Sequence, residues 1–223
     1  MSKKEVLHRY TFFIFALFLV ALGVTVVTRA NLGTSPISSL AYVLSLNSPI
    51  TMGTYIFMMN VVFILIQIAL LKDKISERKW DISMQLPMSF LFGVFVDFTM
   101  LLTSNLNPTT YSLQIFTLLV GCVILALGVA MELIANVTMM SAEYTVDVIA
   151  DLYNKEFGNV KLAFDISLIT LAVISSFMLS GKLVGVREGT IIAGLITGPM
   201  VRIFVAKLSP VIPKVVHLFS RRY

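Results

Sequence analysis

The sequence predicts an all-α polytopic membrane protein of six transmembrane helices in a 3+3 inverted repeat, each repeat carrying an extra short helix after its first span. Three observations predict it: six long apolar runs, an internal repeat of 105 residues, and an uneven placement of basic residues between the runs. The runs cover roughly 10–30, 52–71, 83–104, 113–136, 159–180 and 189–208. A membrane span needs about 20 apolar residues in succession. With 57% hydrophobic and 13% charged residues and a mean hydropathy of +0.91, the chain is built for lipid rather than water. The first run is too long for a signal peptide and no small-residue cleavage site follows it, so it is expected to stay as a helix.

The repeat is legible in one pattern written twice. Ala21 to Asn31 reads ALGVTVVTRAN and Ala126 to Asn136 reads ALGVAMELIAN, a shift of 126 − 21 = 105. The same shift pairs Gly53 with Gly158, Asn60 with Asp165, Gly93 with Gly198 and Asp97 with Arg202. One offset holding without a gap from 21 to 202 indicates duplication. The first repeat, 1–104, holds three spans and a short helix at 36–46; the second, 105–223, holds three spans, a short helix at 142–153 and a basic C-terminal tail. An odd number of spans per copy inserts the second copy upside down. Inverted repeats recur in secondary transporters, with the substrate site near the midplane between the halves.

Orientation follows from charge. The stretch Lys72 to Asp81 carries Lys72, Lys74, Arg78 and Lys79, whereas 105–112 carries no charge. The positive-inside rule then places both termini and the 72–81 loop in the cytoplasm. Were 36–46 and 142–153 to cross as well, that basic loop would lie outside, so an eight-span parallel repeat is rejected. Both segments are too short to cross at about 1.5 Å per helical residue. Each has a start signal, Ser35 before Pro36 in the first and Ser141 as N-cap in the second. Whether they lie at the interface or dip into the membrane stays open. The net charge of +5 does not indicate nucleic acid, because Lys3, Lys4, His8, Arg9, Lys214, His217, Arg221 and Arg222 flank spans, where they set topology and meet anionic lipid.

Ionisable residues inside a span cost about 2.5–3.5 kcal/mol on insertion scales and so mark function. Four stand out: Asp97, Glu132, Asp165 and Arg202. Ser89, Gly93 and Asp97 share one stripe of the third span; Thr190, Gly194, Gly198 and Arg202 share the matching stripe of the sixth. Packing explains the glycines, since small residues let membrane helices approach. It does not require the charges. A structural ion pair between Arg202 and Glu132 is the main rival to a solute pathway. Gly121, Gly128, Glu132 and Asn136 share a face of the fourth span, matched in the first by Gly23, Val27 and Asn31, so Glu132 has no acidic twin. Arg29 lies at the outer end of its span, where snorkelling to the interface is expected. Glu143, Asp147 and Asp151 form a carboxylate row on the second short helix; cation attraction, proton exchange and a merely amphipathic surface helix all fit it.

Other chemistry finds little support. The single cysteine, Cys122, excludes intrachain disulfides and cysteine-clustered metal sites. Met58, Met59, Met139 and Met140 suit core filling better than copper binding, since both histidines are terminal. There is no hydrolase elbow, HExxH or GxxxxGK[ST] motif, so neither an enzyme nor an ATP-driven pump is indicated, and no cofactor.

The ALGV, AN and Gly33-Thr34-Ser35-Pro36 stretch, repeated in weaker form, together with GVREGTIIAGLITGP from Gly185 to Pro199, resembles the YitT/YczE/YyaS group of bacterial integral membrane proteins, which is largely uncharacterised. The resemblance covers nearly the whole chain and implies a protein of the bacterial cytoplasmic membrane. The second copy departs from the Gly-x-x-Pro turn, with Thr138-Met139-Met140-Ser141 in its place. The expected function is a secondary transporter of a small solute, coupled to protons or another ion. Its polar pathway would be Asp97, Glu132, Asp165, Arg202, Asn31, Asn136, Asn60 and Glu143. The alternatives are a non-transporting membrane partner or regulator, and a passive channel. Substrate, coupling ion and self-association into a homo-oligomer stay open at this stage.

Overall fold

A computed structural model describes residues 3–72 and 75–209, which form eight α-helices and no strand. These are α1 (Lys3–Arg29), α2 (Pro36–Leu46), α3 (Met52–Leu71), α4 (Ile75–Leu102), α5 (Tyr111–Ala135), α6 (Ser141–Tyr153), α7 (Phe157–Ser180) and α8 (Glu188–Leu208). Six are long and apolar enough to cross a membrane: Arg9–Arg29 of α1, α3, Arg78–Leu102 of α4, α5, α7 and α8. The expected all-α polytopic architecture is therefore present. The basic tail with Lys214, His217, Arg221 and Arg222 lies outside the described residues.

Two local expectations change. The basic loop shrinks, because α4 begins at Ile75 and carries Arg78 and Lys79 on its first turns. ISERKWD contains no glycine or proline to stop a helix, and Arg78 is held by α6 through Asp151 at 2.7 Å and Asp147 at 3.8 Å. The N-cap of α6 is Met140 rather than Ser141. Ser141 is the first helical residue, and its hydroxyl lies 3.0 Å from that of Ser89 on α4. The repeated Ala-Asn pair has a backbone reason. Asn31 and Asn136 adopt φ of 60° and 48°, the left-handed region that asparagine tolerates better than other side-chain-bearing residues, and each turns the chain out of a long helix.

The tightest seam runs between α1 and α5. A Cβ on Gly128 would lie 2.6 Å from the Val20 nitrogen and one on Gly121 2.7 Å from the Val27 nitrogen, while one on Gly23 would strike the Leu125 backbone. Numbers rise along α1 as they fall along α5, so the two helices are antiparallel. α1 also packs on α4, and α5 on α8. The remaining helices form a closed ring, α2 on α7, α7 on α6, α6 on α3 and α3 on α2. The short helices are thus wedged among the spans, with Ser38, Ala41 and Val43 of α2 and Ala142, Val146 and Val148 of α6 buried.

The set α1, α4, α5, α8 meets the set α2, α3, α6, α7 chiefly where α3 lies against α4, with a smaller contact of α2 on α8. α7 and α8 share no comparable interface. One face of the protein collects the ends of α1 and α4 with the start of α3, tied by Arg29 Nη2 donating to the Met100 carbonyl at 2.8 Å and by Asp97 at α3. Arg29 therefore caps the end of α4 instead of snorkelling. The opposite face collects the start of α4, the end of α5, α6 and the start of α7.

Because the α1–α5 seam admits no Cβ, Gly23→Leu should lower stability by more than the roughly 1–3 kcal/mol usual for overpacking, read as a fall in melting temperature in detergent. Gly198→Ala, where a Cβ meets nothing within 4 Å, should leave it unchanged or raise it.

Candidate functional site

Asn136 builds the site. Its left-handed conformation ends α5 immediately after Glu132 and turns the connector 136–140 back, so that α6 presents Glu143 in its first turn, beside Glu132. Glu132 is 9% exposed, receives the backbone N–H of Met140 and feels the charge of Glu143. Glu143 in turn feels Lys161 and Asp165 of α7, which form an ion pair one helical turn apart. Three carboxylates and one ammonium thus gather from α5, α6 and α7. Their formal sum is −3 + 1 = −2 when all are ionised. Glu143 keeps some accessible surface although protein surrounds it. Burial pushes its carboxyl above the ordinary 4.5, Lys161 opposes the shift and Asp165 adds to it.

The other expected residues divide between the two faces. Asp97 is partly buried at the far face, where it holds the start of α3: its Oδ1 accepts from the Gly53 N–H at 2.8 Å and its Oδ2 from the Thr51 hydroxyl at 2.6 Å. A carboxylate there satisfies free N–H groups and the positive end of the helix dipole. Asn31 donates to Asn107 at 3.2 Å, and its carbonyl accepts from Arg187 at 2.9 Å, joining three connectors on that face. Asn60 is 5% exposed in α3, and its amide makes no hydrogen bond to another described residue. Arg202 is exposed on α8 and, among the described residues, makes no ion pair with Glu132. The carboxylate row of α6 splits. Glu143 joins the cluster, while Asp147 and Asp151 tether Arg78, whose guanidinium also sits 5.8 Å from the Tyr144 ring centre.

Sequence reasoning passed over two groups. Lys161 precedes Asp165 by four residues, a spacing that announces an ion pair on a helix. Gln67 and Gln85, at 0% and 1% exposure, form the centre of a buried network: Gln67 Nε2 donates to Gln85 Oε1 at 3.0 Å, the Ser141 carbonyl at 2.9 Å and Thr145 Oγ1 at 3.0 Å. Two amides within apolar runs were the available signal. Their remaining atoms, Gln67 Oε1 and Gln85 Nε2, have no protein partner. Among the described residues no group of three His, Cys, Asp or Glu is arranged to hold a metal ion.

A model of a protein family of unknown function, DUF6198, matches residues 7–206. The chain belongs to the DUF6198 family. A relative in this setting is the uncharacterised protein YyaS of Bacillus subtilis (strain 168), 25% identical over 147 residues, which are 65% of this chain and 69% of that protein. No solved structure matches. Family membership accords with the resemblance read from the glycine and asparagine motifs, and it assigns no chemistry to the cluster.

Two outcomes separate cluster from scaffold. Asp97→Ala should destabilise by about 1 kcal/mol, as loss of a helix N-cap does, measured by thermal unfolding. For Glu143 the raised value means that the folded state holds its proton more tightly than the unfolded one, so stability falls as pH rises from near 4.5 through the folded-state value. Glu143→Gln should remove that part of the fall. With Glu132, Asp165 and Lys161 still present, a residual slope is expected, and an identical slope in both proteins would show that Glu143 binds its proton equally in the folded and unfolded chain.

Proposed function

We propose that this protein is a secondary transporter of a small solute in the bacterial cytoplasmic membrane, ion- or proton-coupled, built as a 3+3 inverted repeat with both termini in the cytoplasm. The inverted repeat draws support from contacts that exchange under the 105-residue offset. Val20 meets Gly128 and Gly23 meets Leu125; Ser89 meets Ser141 and Pro36 meets Gly194. Adding 105 to the lower partner and subtracting it from the higher turns one contact of each pair into the other. Antiparallel α1 and α5 agree with a two-fold axis lying in the membrane plane.

The observation that carries the functional reading is the cluster of Glu132, Glu143, Lys161 and Asp165. Packing alone does not require a buried carboxylate on the last turn of α5 that feels the charge of another carboxylate. A site that exchanges a proton, or takes up a cation in its place, does require one. The net negative sum favours a cationic or protonatable solute. Asn60 and Arg202 belong to the proposed pathway as further polar surface, whereas Asp97, Asn31 and Asn136 serve the scaffold. No catalytic chemistry and no cofactor form part of this reading.

A membrane partner or regulator is the rival. It is favoured by the exposure of α8, whose Ile191, Leu195 and Ile203 are uncovered by the rest of the chain.

The test is solute uptake into proteoliposomes under an imposed proton gradient, with a panel of small amines, amino acids and inorganic cations, after a thermal-shift screen. A ligand at 100 times its Kd stabilises by about 2.7 kcal/mol. Glu132→Gln should abolish gradient-driven uptake and leave the thermal shift in place, since the amide keeps the shape without the proton. Full driven uptake in that variant would remove Glu132 from coupling, and the absence of shift and uptake across the panel would favour the partner role.

A further inference from the structure

We propose that the two helix sets rock against each other between two mutually exclusive closures: α3 on α4 at one face, which is closed in this structure, and α7 on α8 at the other, which is open. The inference rests on the transport reading and supplies its gate. At the closed face a Cβ on Gly93 would lie 2.7 Å from the Gly53 carbonyl, Asp97 holds the Gly53 N–H, and the Phe57 and Phe90 rings meet edge-on at 5.7 Å. The offset carries these residues to Gly198, Gly158, Arg202, Leu162 and Leu195. Both glycines are kept, yet a Cβ on either meets nothing within 4 Å. Leu162 and Leu195 are 58% and 68% exposed. Glycine in a helix costs stability relative to alanine unless something must approach it closely, and the first copy shows what approaches.

The rest of the fold supplies a pivot and two hinges. Ser89 against Ser141 and Pro36 against Gly194 are small contacts between the sets, exchanged by the offset, about which the sets can tilt. Gln67 bonded to Gln85 holds α3 and α4 together at the face away from Asp97. At the end of α8 away from Arg202, Ser176 of α7 accepts the Val184 N–H of the α7–α8 connector at 2.7 Å, while the Gly189 N–H of α8 donates to the Leu32 carbonyl at 2.8 Å and the Thr34 N–H to Thr190 Oγ1 at 3.3 Å. Each helix pair is therefore held at one end, α3 to α4 directly and α7 to α8 through its connector, and free to part at the other. The cluster of Glu132, Glu143, Lys161 and Asp165 lies on the side where α7 and α8 have parted, so the open face is the one that reaches it.

Charge explains which closure is seen. Closing α3 on α4 brings Asp97 to the positive end of a helix dipole, whereas closing α7 on α8 brings Arg202 to the equivalent end of α7, where a cation is disfavoured. Arg202→Asp restores the residue of the first copy and should shift the population towards the α7–α8 closure.

The test needs no substrate. In a Cys122→Ala background, the pairs Phe57→Cys with Phe90→Cys and Leu162→Cys with Leu195→Cys are treated in native membrane vesicles with a short bifunctional thiol reagent. Both pairs should cross-link within one chain, prior cross-linking at 57–90 should suppress that at 162–195, and Arg202→Asp should raise the 162–195 yield severalfold. Efficient 57–90 cross-linking with none at 162–195, even with Arg202→Asp, overturns the gate, as does simultaneous cross-linking of both pairs in one chain. A 162–195 product found only as a dimer of two chains overturns it as well, since a second copy then covers α8. Should a pair destabilise the bundle, maleimide labelling of single Leu195→Cys protein reads the same closure: slower labelling with Arg202→Asp supports it and an unchanged rate overturns it. Flux through a chain that never closes at 162–195 discards the gate alone, whereas the two closures without any flux support the gate and discard the transport reading.

Discussion

The α1–α5 seam is the constraint on which the rest depends. Between membrane helices the hydrophobic effect gives no preference for protein over lipid, so association comes from van der Waals contact at close range and from hydrogen bonds. Gly23, Gly121 and Gly128 bring the two backbones together by omitting a Cβ where the partner helix comes closest. α4 then packs on α1 and α8 on α5, and the ring of α2, α3, α6 and α7 joins this group through α3 on α4 and α2 on α8. With α1 and α5 separated by a side chain, α4 and α8 would lose the common support that places Asp97 and Arg202.

Polar groups at membrane depth follow a simple economy. Most are satisfied by the nearest backbone: Thr28 by the Val24 carbonyl at 2.8 Å, Thr99 by the Phe95 carbonyl at 2.8 Å, and Asp97 by the first turn of α3. Such bonds hold helices in place. The Glu132 and Glu143 pair departs from this rule, because neighbouring like charges are tolerated only where one can take a proton or where a cation enters. Polar residues separate here by partner, not by residue type. Asp97 and Glu132 illustrate it, two acids in spans, one bonded through both oxygens to the start of α3 and one beside a second carboxylate.

Internal symmetry gives the asymmetries their meaning. The offset that superimposes ALGV on ALGV also sets Asp97 against Arg202 and the Phe57–Phe90 contact against the exposed Leu162 and Leu195. Under the proposed gate, a chain that places the same glycines on both helix pairs and closes only one of them is in one of two states. In that proposal the charge difference between Asp97 and Arg202 biases the choice between them, and the carboxylate cluster is reached from the open side.

The sequence by itself determined the helical architecture, the six spans, the short helices and the 105-residue register, because apolar run length and glycine spacing are local properties that lipid enforces residue by residue. It also marked Asp97, Glu132, Asp165 and Arg202 as costly charges and set Glu143 in a carboxylate row with Asp147 and Asp151. Tertiary structure decided which charges meet. The left-handed turn at Asn136 brings Glu143 to Glu132, α7 brings Lys161 and Asp165, and the start of α3 binds both carboxylate oxygens of Asp97. None of this could be read from spacing, since a stripe on one helix states which residues share a face but not what that face will touch. The ion pair of Arg202 with Glu132, the rival to a solute pathway, does not form among the described residues for that reason: both are charges in the same half of their spans, yet α8 leaves Arg202 exposed while α5 turns Glu132 inward.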